Sequence, residues 1–264
     1  MRALAVVPLA IAAAVGLATA AGADDDLGVA DDLGYVVDRD ALEDPEVITR
    51  GRALYGTGCV SCHGTDGSGT RGPDIKDAGA ASAHFYLTSG RMPAANADGQ
   101  ALRKEPTYSP EQIEALVAYV ATLGDGPAIP DVDPAGADLA RGGELYRVNC
   151  AACHQAAGAG GALSYGRNAP TLTPATPVQV AEAARIGPGQ MPVFGPDQLS
   201  GDDLDAIVRY VSFLKEGEDP GGFSLGRVGP IPEGFVAVAV GLGATTLGAL
   251  WIGARRSSSR EAAT

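Results

Sequence analysis

The sequence predicts an all-α protein with two repeated helical domains and one apolar helix near its C-terminus. Residues 50–63 align without gaps on residues 141–154, and residues 109–123 align at the same offset on residues 200–214. The later pair has apolar residues at the i, i+3, i+4 spacing of an amphipathic helix. Residues 235–254 are uncharged and long enough to cross a bilayer.

Bulk composition limits the class of protein. The chain has 264 residues, of which 45% are hydrophobic, so it can build one large or two small cores. Its formal net charge is −13. A nucleic-acid-binding protein needs positive charge to neutralise phosphates, so the composition argues against a nucleic-acid partner.

The N-terminus resembles an export signal. Arg2 precedes an uncharged stretch, residues 3–23, which ends in Ala-Gly-Ala before an acidic run. A basic start, an apolar stretch and a small-residue site are typical of secretory signals, and we expect cleavage after Ala23. The stretch is also long enough to remain as an N-terminal anchor helix. Residues 1–23 are therefore predicted to be a signal peptide or an anchor.

The apolar segment 235–254 predicts a transmembrane helix. Trp251 suits the membrane interface, and "RRSSSR" follows the segment directly. Basic residues are retained on the cytoplasmic side of bacterial membranes. We therefore expect residues 255–264 to be a cytoplasmic tail and the preceding domains to lie on the extracytoplasmic side of the cell membrane.

The repeat divides the remaining chain into domains. Each unit is predicted to begin with a short helix and to end with a longer one, capped by Ser109 or Ser200 before an acidic first turn. Pro, Gly and Asp are frequent between the units and again before the membrane segment, as is typical of linkers. The predicted boundaries are domain 1 at 41–124, a linker at 125–138, domain 2 at 139–216 and a juxtamembrane linker at 217–234.

Each unit contains one Cys-x-x-Cys-His motif. The first comprises Cys59, Cys62 and His63, and the second comprises Cys150, Cys153 and His154. A thioredoxin-like site would need alternating strands and helices, which neither unit predicts. A zinc site would lack further ligands, and a disulfide across two residues would be strained and would close little chain.

Covalent haem satisfies these constraints. Two cysteines one helical turn apart can form thioethers to the two vinyl groups of one porphyrin, and the next residue, histidine, can then reach the iron. Since the motif occurs twice, we predict two covalently bound haems c. The porphyrins would also fill cores that the short, Gly-rich units cannot fill themselves.

Two methionines are candidate sixth ligands. Met92 and Met191 each lie in a Gly/Pro loop between the motif and the last helix of their own unit, and each precedes a proline. Methionine opposite histidine raises the haem potential and suits electron transfer. His84, in a stretch that looks like a short helix, is an alternative ligand of the first iron. We favour a surface position or a contact with a haem propionate for His84.

With these motifs each unit resembles a class I cytochrome c domain. That resemblance implies that the carbonyls of Pro73 and Pro170 orient the two axial histidines. It also implies that the first and last helices of each unit cross. In the first unit Gly51 and Tyr55 would meet Tyr119. In the second unit Gly142 and Tyr146 would meet Tyr210.

The order of signal or anchor, two haem domains, linker and C-terminal helix resembles that of the dihaem cytochrome c subunits of actinobacterial bcc-type menaquinol:cytochrome c reductases. The stretches "SGRMP" and "LWIGAR" also resemble this family. The resemblance implies an electron relay within a quinol–cytochrome-c reductase, which is a translocase. Electrons would pass from a Rieske iron–sulfur centre through both haems to an aa3-type oxidase. Cytochrome b, the Rieske subunit and the oxidase would be partners, and this chain would have no substrate site of its own.

Two other functions are compatible with the same motifs. One is a freestanding, membrane-anchored dihaem carrier, which the haem domains alone cannot distinguish from a reductase subunit. The other is a dihaem peroxidase, which needs one iron with an open or loosely held coordination position.

Overall fold

The computed structural model describes residues 37–96, 99–216 and 230–261. It is mostly helical, as the sequence predicts. The predicted signal or anchor at 1–23 lies outside the described residues. The predicted domain boundaries remain predictions.

The first repeat forms four α-helices after a 3₁₀ turn at Asp40–Glu43: α1, Pro45–Gly58; α2, Val60–His63; α3, Gly79–Thr88; and α4, Pro110–Ala121. Helix α1 begins where the Asp44 carboxylate accepts a hydrogen bond from the Glu46 amide at 2.7 Å. Helix α4 begins with the predicted Ser109 cap, which forms a capping box with Gln112. The stretch around His84 is helical, as its sequence indicates.

The second repeat adds a small hairpin to the same plan. Its helices are α5, Leu139–Asn149; α6, Ala151–His154; α7, Pro177–Ile186; and α8, Gly201–Glu216. Strands β1, Gly161–Ala162, and β2, Asn168–Ala169, pair antiparallel across a 3₁₀ turn at Ser164–Gly166. Ser200 caps α8, since its hydroxyl accepts a hydrogen bond from the Asp203 amide at 3.1 Å. Both predicted serine caps are therefore confirmed.

The first and last helices of each repeat cross at a glycine. A Cβ on Gly51 would lie 1.8 Å from the Ala115 carbonyl oxygen, so α1 and α4 approach more closely there than any side chain permits. Beside this crossing the rings of Tyr55 and Tyr119 lie 5.1 Å apart. The crossing of α5 with α8 repeats the arrangement with Gly142, whose Cβ would meet the Ala206 carbonyl oxygen at 1.9 Å.

The two repeats pack directly against each other. Helix α3 contacts α7, and Val178 of α7 is buried in the core of the first repeat. The segment that connects the two repeats, which is rich in Pro, Gly and Asp, also packs against both of them. Its Ile129 belongs to the first core, and its Val132 contacts both cores. The two haem motifs are therefore held on one packed body.

Helix α9, Pro230–Glu261, contains the predicted transmembrane segment. Its stretch Gly234–Ala254 has a mean hydropathy of 1.9, and its side chains are not buried against the rest of the protein. Apolar side chains exposed along a helix of this length are suited to lipid. This helix is therefore long and apolar enough to cross a membrane.

Candidate functional site

Each Cys-x-x-Cys-His motif lies at the junction of a long helix and a short one. In the first repeat the Cys59 amide donates to the Tyr55 carbonyl at 2.9 Å, and the His63 amide donates to the Cys59 carbonyl at 2.9 Å. These bonds place the two cysteines of the motif one helical turn apart. Cys150 and His154 make the corresponding bonds in the second repeat, at 2.8 and 2.9 Å.

Both motif histidines are oriented by a proline carbonyl. His63 Nδ1 lies 2.9 Å from the Pro73 oxygen, and His154 Nδ1 lies 2.9 Å from the Pro170 oxygen. A carbonyl can only accept, so each Nδ1 carries the proton of a neutral ring and each Nε2 is left able to bind a metal. The structure thus contains the contacts that the resemblance implies.

All eight predicted site residues line one cleft of about 690 Å³ between the repeats. They are the two motifs and the two methionines: Cys59, Cys62, His63, Met92, Cys150, Cys153, His154 and Met191. Most of the remaining lining is apolar. Part of it comes from α3, α7 and the two proline loops, which follow His63 and His154 and contain Pro73 and Pro170. The sequence predicts one haem in each repeat, but it does not predict that the two candidate sites share one cleft.

Burial favours uncharged sulfur and uncharged imidazole at these positions. Burial raises the pKa of Cys59 and of Cys150 to about 11, because a thiolate would be poorly solvated there. A thioether is also uncharged, so these sulfurs suit covalent attachment of a porphyrin. Burial likewise lowers the pKa of His154, which favours the neutral ring that binds a metal.

A buried arginine in the cleft fits an anionic ligand. Arg91 Nη1 is buried and has no hydrogen-bond partner among the described residues. The guanidinium lies 4.9 Å above the Phe85 ring, and its burial together with the nearby Arg103 lowers its pKa. A carboxylate such as a haem propionate would supply the missing acceptor. The residues present therefore fit haem.

Polar residues at the domain boundary were missed by the sequence analysis. Arg103 donates a hydrogen bond to Gln179 across the boundary, and both residues line the cleft. Neither residue belongs to a motif or to a repeated position, so a single sequence carries no signal for them.

Of the two positions favoured for His84, the surface position is wrong, and the contact with a haem propionate stays a prediction. Its side chain is 1% exposed, and its Nδ1 lies 2.6 Å from Oε1 of Glu182, which is 0% exposed. The pair joins α3 to α7. Helix packing between the repeats buries His84, and nothing in its local sequence reports that packing.

Because Glu182 is buried, we predict that it makes the stability of the folded protein depend on pH. Desolvation raises the pKa of Glu182 to about 7 in the folded protein, although His84 partly opposes the shift. Between pH 4.5 and 7 the folded chain then holds more protons than the unfolded chain, so the free energy of unfolding falls as pH rises through this window. Glu182→Gln removes this effect. As pH rises from 5 to 8, the free energy of unfolding of the variant should therefore increase relative to that of wild type, by about 3 kcal/mol at most.

Urea unfolding of the detergent-solubilised chain at pH 5 and pH 8 measures this difference. The exposed Glu105→Gln substitution is the control and should follow wild type at both pH values. A Glu182→Gln variant that parallels wild type across the window would contradict the assigned direction.

Comparison with known proteins identifies a family model for each repeat and relatives that match most of the chain. A family model described as cytochrome c matches residues 48–124, and one described as cytochrome c oxidase, cbb3-type, subunit III matches residues 137–211. The chain is 44% identical over 225 residues to the cytochrome bc1 complex cytochrome c subunit of Mycobacterium leprae, with 81% of this chain and 78% of the relative covered.

Relatives with lower identity match either most of the chain or less than half of it. The corresponding subunit of Corynebacterium efficiens is 38% identical over 234 residues, covering 81% of this chain and 78% of its own length. A cbb3-type cytochrome c oxidase subunit FixP of Bradyrhizobium is 29% identical over 137 residues, which cover 44% of this chain and 43% of FixP. The two bc1-complex subunits are similar along most of the chain, whereas FixP is similar along less than half of it.

Proposed function

Because the chain belongs to the family of cytochrome bc1 complex cytochrome c subunits, we propose that it is the electron relay of a respiratory quinol:cytochrome c reductase. Electrons would enter from a Rieske iron–sulfur centre, pass through two covalently bound haems c and leave to a terminal oxidase of the aa3 type. The observation that carries this proposal is the single cleft that collects both haem motifs and both methionines.

Each cleft residue has a proposed role. The thiols of Cys59, Cys62, Cys150 and Cys153 would form thioethers with the two porphyrins. His63 and Met92 would ligate one iron, and His154 and Met191 would ligate the other. When bound, each haem supplies one-electron chemistry without a change in covalent bonds.

The rest of the protein would position and shield these groups. The Pro73 and Pro170 carbonyls hold the imidazole rings in place, as the two 2.9 Å contacts indicate. Most of the cleft lining is apolar, which suits the hydrophobic faces of two porphyrins. If a histidine and a methionine held each iron, the chain would offer no site for a substrate, so catalysis would belong to the complex.

The membrane helix would tether this relay beside its partners. With the basic tail retained in the cytoplasm, the two repeats would lie outside the cell membrane, next to cytochrome b and the Rieske subunit. Tethering raises the effective concentration of a carrier at a fixed partner. The alternative is a freestanding dihaem carrier with the same anchor.

Purification from native membranes tests the proposal. A chain tagged at its C-terminus should bring down cytochrome b and a Rieske protein in mild detergent, and an aa3-type oxidase should accompany them. The same tag on helix α9 alone is the control for nonspecific capture. Recovery of the dihaem chain without cytochrome b and the Rieske protein would favour the freestanding carrier.

Replacing Met191 is expected to lower one of two haem potentials. Met191→Ala removes a thioether ligand that favours the reduced iron, so one titration wave should shift down by on the order of 100 mV, within the roughly 0.8 V range set by axial ligands. The other wave, assigned to the first repeat, should stay in place.

A spectroscopic redox titration measures both waves. Val193→Ala, at a half-exposed apolar side chain two residues away, is the matched control. Two unshifted waves in Met191→Ala would exclude this methionine as a ligand.

A further inference from the structure

The His84–Glu182 pair differs from the other ion pairs of the described residues. Both of its side chains are buried, whereas each of the other pairs has at least one largely exposed partner. The two residues are 98 positions apart and belong to different repeats. The 2.6 Å contact is therefore a specific tie between the two haem domains.

Other polar contacts across the boundary are more exposed. Gln179 Nε2 donates to Thr88 Oγ1 at 3.0 Å. Gln100 and Asn168 exchange two hydrogen bonds, at 2.7 and 3.1 Å, on the exposed rim. Water can replace the rim contacts at little cost, but it cannot reach the buried pair. Of the polar contacts named across the boundary, the His84–Glu182 pair is the one whose two side chains are both fully buried.

The pair lies directly behind the wall of the cleft. Ala83 and Phe85 flank His84 in α3, and both line the cleft. Val180 and Ala183, next to Glu182 along α7, line it from the other repeat. A shift of α3 along α7 would therefore move the two halves of the cleft relative to each other.

We propose that His84 and Glu182 are positioning residues of the electron relay, whose buried hydrogen bond fixes α3 against α7 and so fixes the second haem relative to the first. The inference rests on the proposed function, since it requires two bound haems. Electron transfer between cofactors falls steeply with their separation, so a fixed register protects the rate between them.

The energetics of buried pairs favour this role over simple stabilisation. Removing water from a carboxylate and an imidazole costs free energy that their contact only partly returns. Glu182 Oε2 has no hydrogen-bond partner among the described residues, which adds to the cost. Apolar packing of α3 on α7 would supply adhesion without that cost. A directional bond adds a constraint on register to the one that apolar packing supplies.

Paired substitution of the full-length holoprotein tests the role. His84→Leu combined with Glu182→Leu removes both polar groups, leaves no unpaired charge and keeps apolar contact between α3 and α7. Glu182→Gln keeps an acceptor for His84 at nearly the same shape. Gln100→Ala removes a boundary contact from the rim and serves as the matched control.

Circular dichroism in the Soret band supplies the readout, because two haems at fixed close geometry give a paired positive and negative signal. We expect this couplet to fall at least twofold in the double-leucine variant and to stay at wild-type amplitude in Glu182→Gln and Gln100→Ala. Electron exchange between the haems, followed by flash reduction, should slow in the same variant only.

An unchanged couplet in the double-leucine variant would overturn the inference, and so would two haems without a couplet in wild type. If the double-leucine variant gives no holoprotein, His84→Met with Glu182→Met provides the same measurement with side chains that adapt to irregular space. A pyridine haemochrome assay runs beside each spectrum. Fewer than two haems per wild-type chain contradicts the proposed function instead, so the two failures are distinguishable.

Discussion

Gly51→Ala is expected to destabilise the first repeat by about 3 kcal/mol or more. The added Cβ would lie 1.8 Å from the carbonyl oxygen of Ala115 and 2.7 Å from its carbonyl carbon, both backbone atoms of α4. Neither atom can rotate away, so α1 and α4 must separate. Their separation would open the core around Tyr55 and Tyr119.

Gly56→Ala in the same helix is the matched control. A Cβ at Gly56 meets no atom within 4 Å, so the substitution should stabilise α1 by about 0.5 to 1 kcal/mol through helix propensity. Urea unfolding followed by far-ultraviolet circular dichroism compares the two variants. Equal stability of Gly51→Ala and Gly56→Ala would show that the helices do not cross at Gly51.

Removing both thiols of the first motif is expected to halve the covalent haem content. Without Cys59 and Cys62 no thioether can form in the first repeat, while Cys150 and Cys153 still attach the second haem. Mass spectrometry of the denatured chain should show a loss from two added porphyrins to one. The pyridine haemochrome absorbance per chain should fall by half.

Ser61→Ala is the control for this substitution. Ser61 is an exposed residue between the two cysteines, and its replacement should leave two porphyrins attached. Two porphyrins retained in the Cys59→Ala/Cys62→Ala variant would refute thioether attachment at this motif.

Much of each repeat could be predicted because its signals are local. The caps at Ser109 and Ser200, the helix over 109–123 and the apolar segment at 235–254 follow from short stretches of sequence. The motif cysteines and histidines carry their chemistry in five consecutive residues. The glycine crossings followed from resemblance, and the close approach at Gly51 supplies their physical reason.

Contacts between the repeats could not be predicted in the same way. His84 looks like a residue of an ordinary short helix, and Glu182 like one of many acidic residues. Their burial depends on how α3 packs against α7, which no local pattern encodes. The same applies to Arg91, whose burial beside Phe85 depends on the loops that close the cleft.

The two proline loops differ in length but end in the same contact. Pro73 lies ten positions after His63, and Pro170 lies sixteen positions after His154, yet both contacts measure 2.9 Å. The additional chain of the second loop forms the β1–β2 hairpin, whose Tyr165 is 93% exposed. Evolution can therefore lengthen or shorten this loop without disturbing the imidazole anchor. The hairpin is a place where the two repeats differ in chain length while both keep the same imidazole anchor.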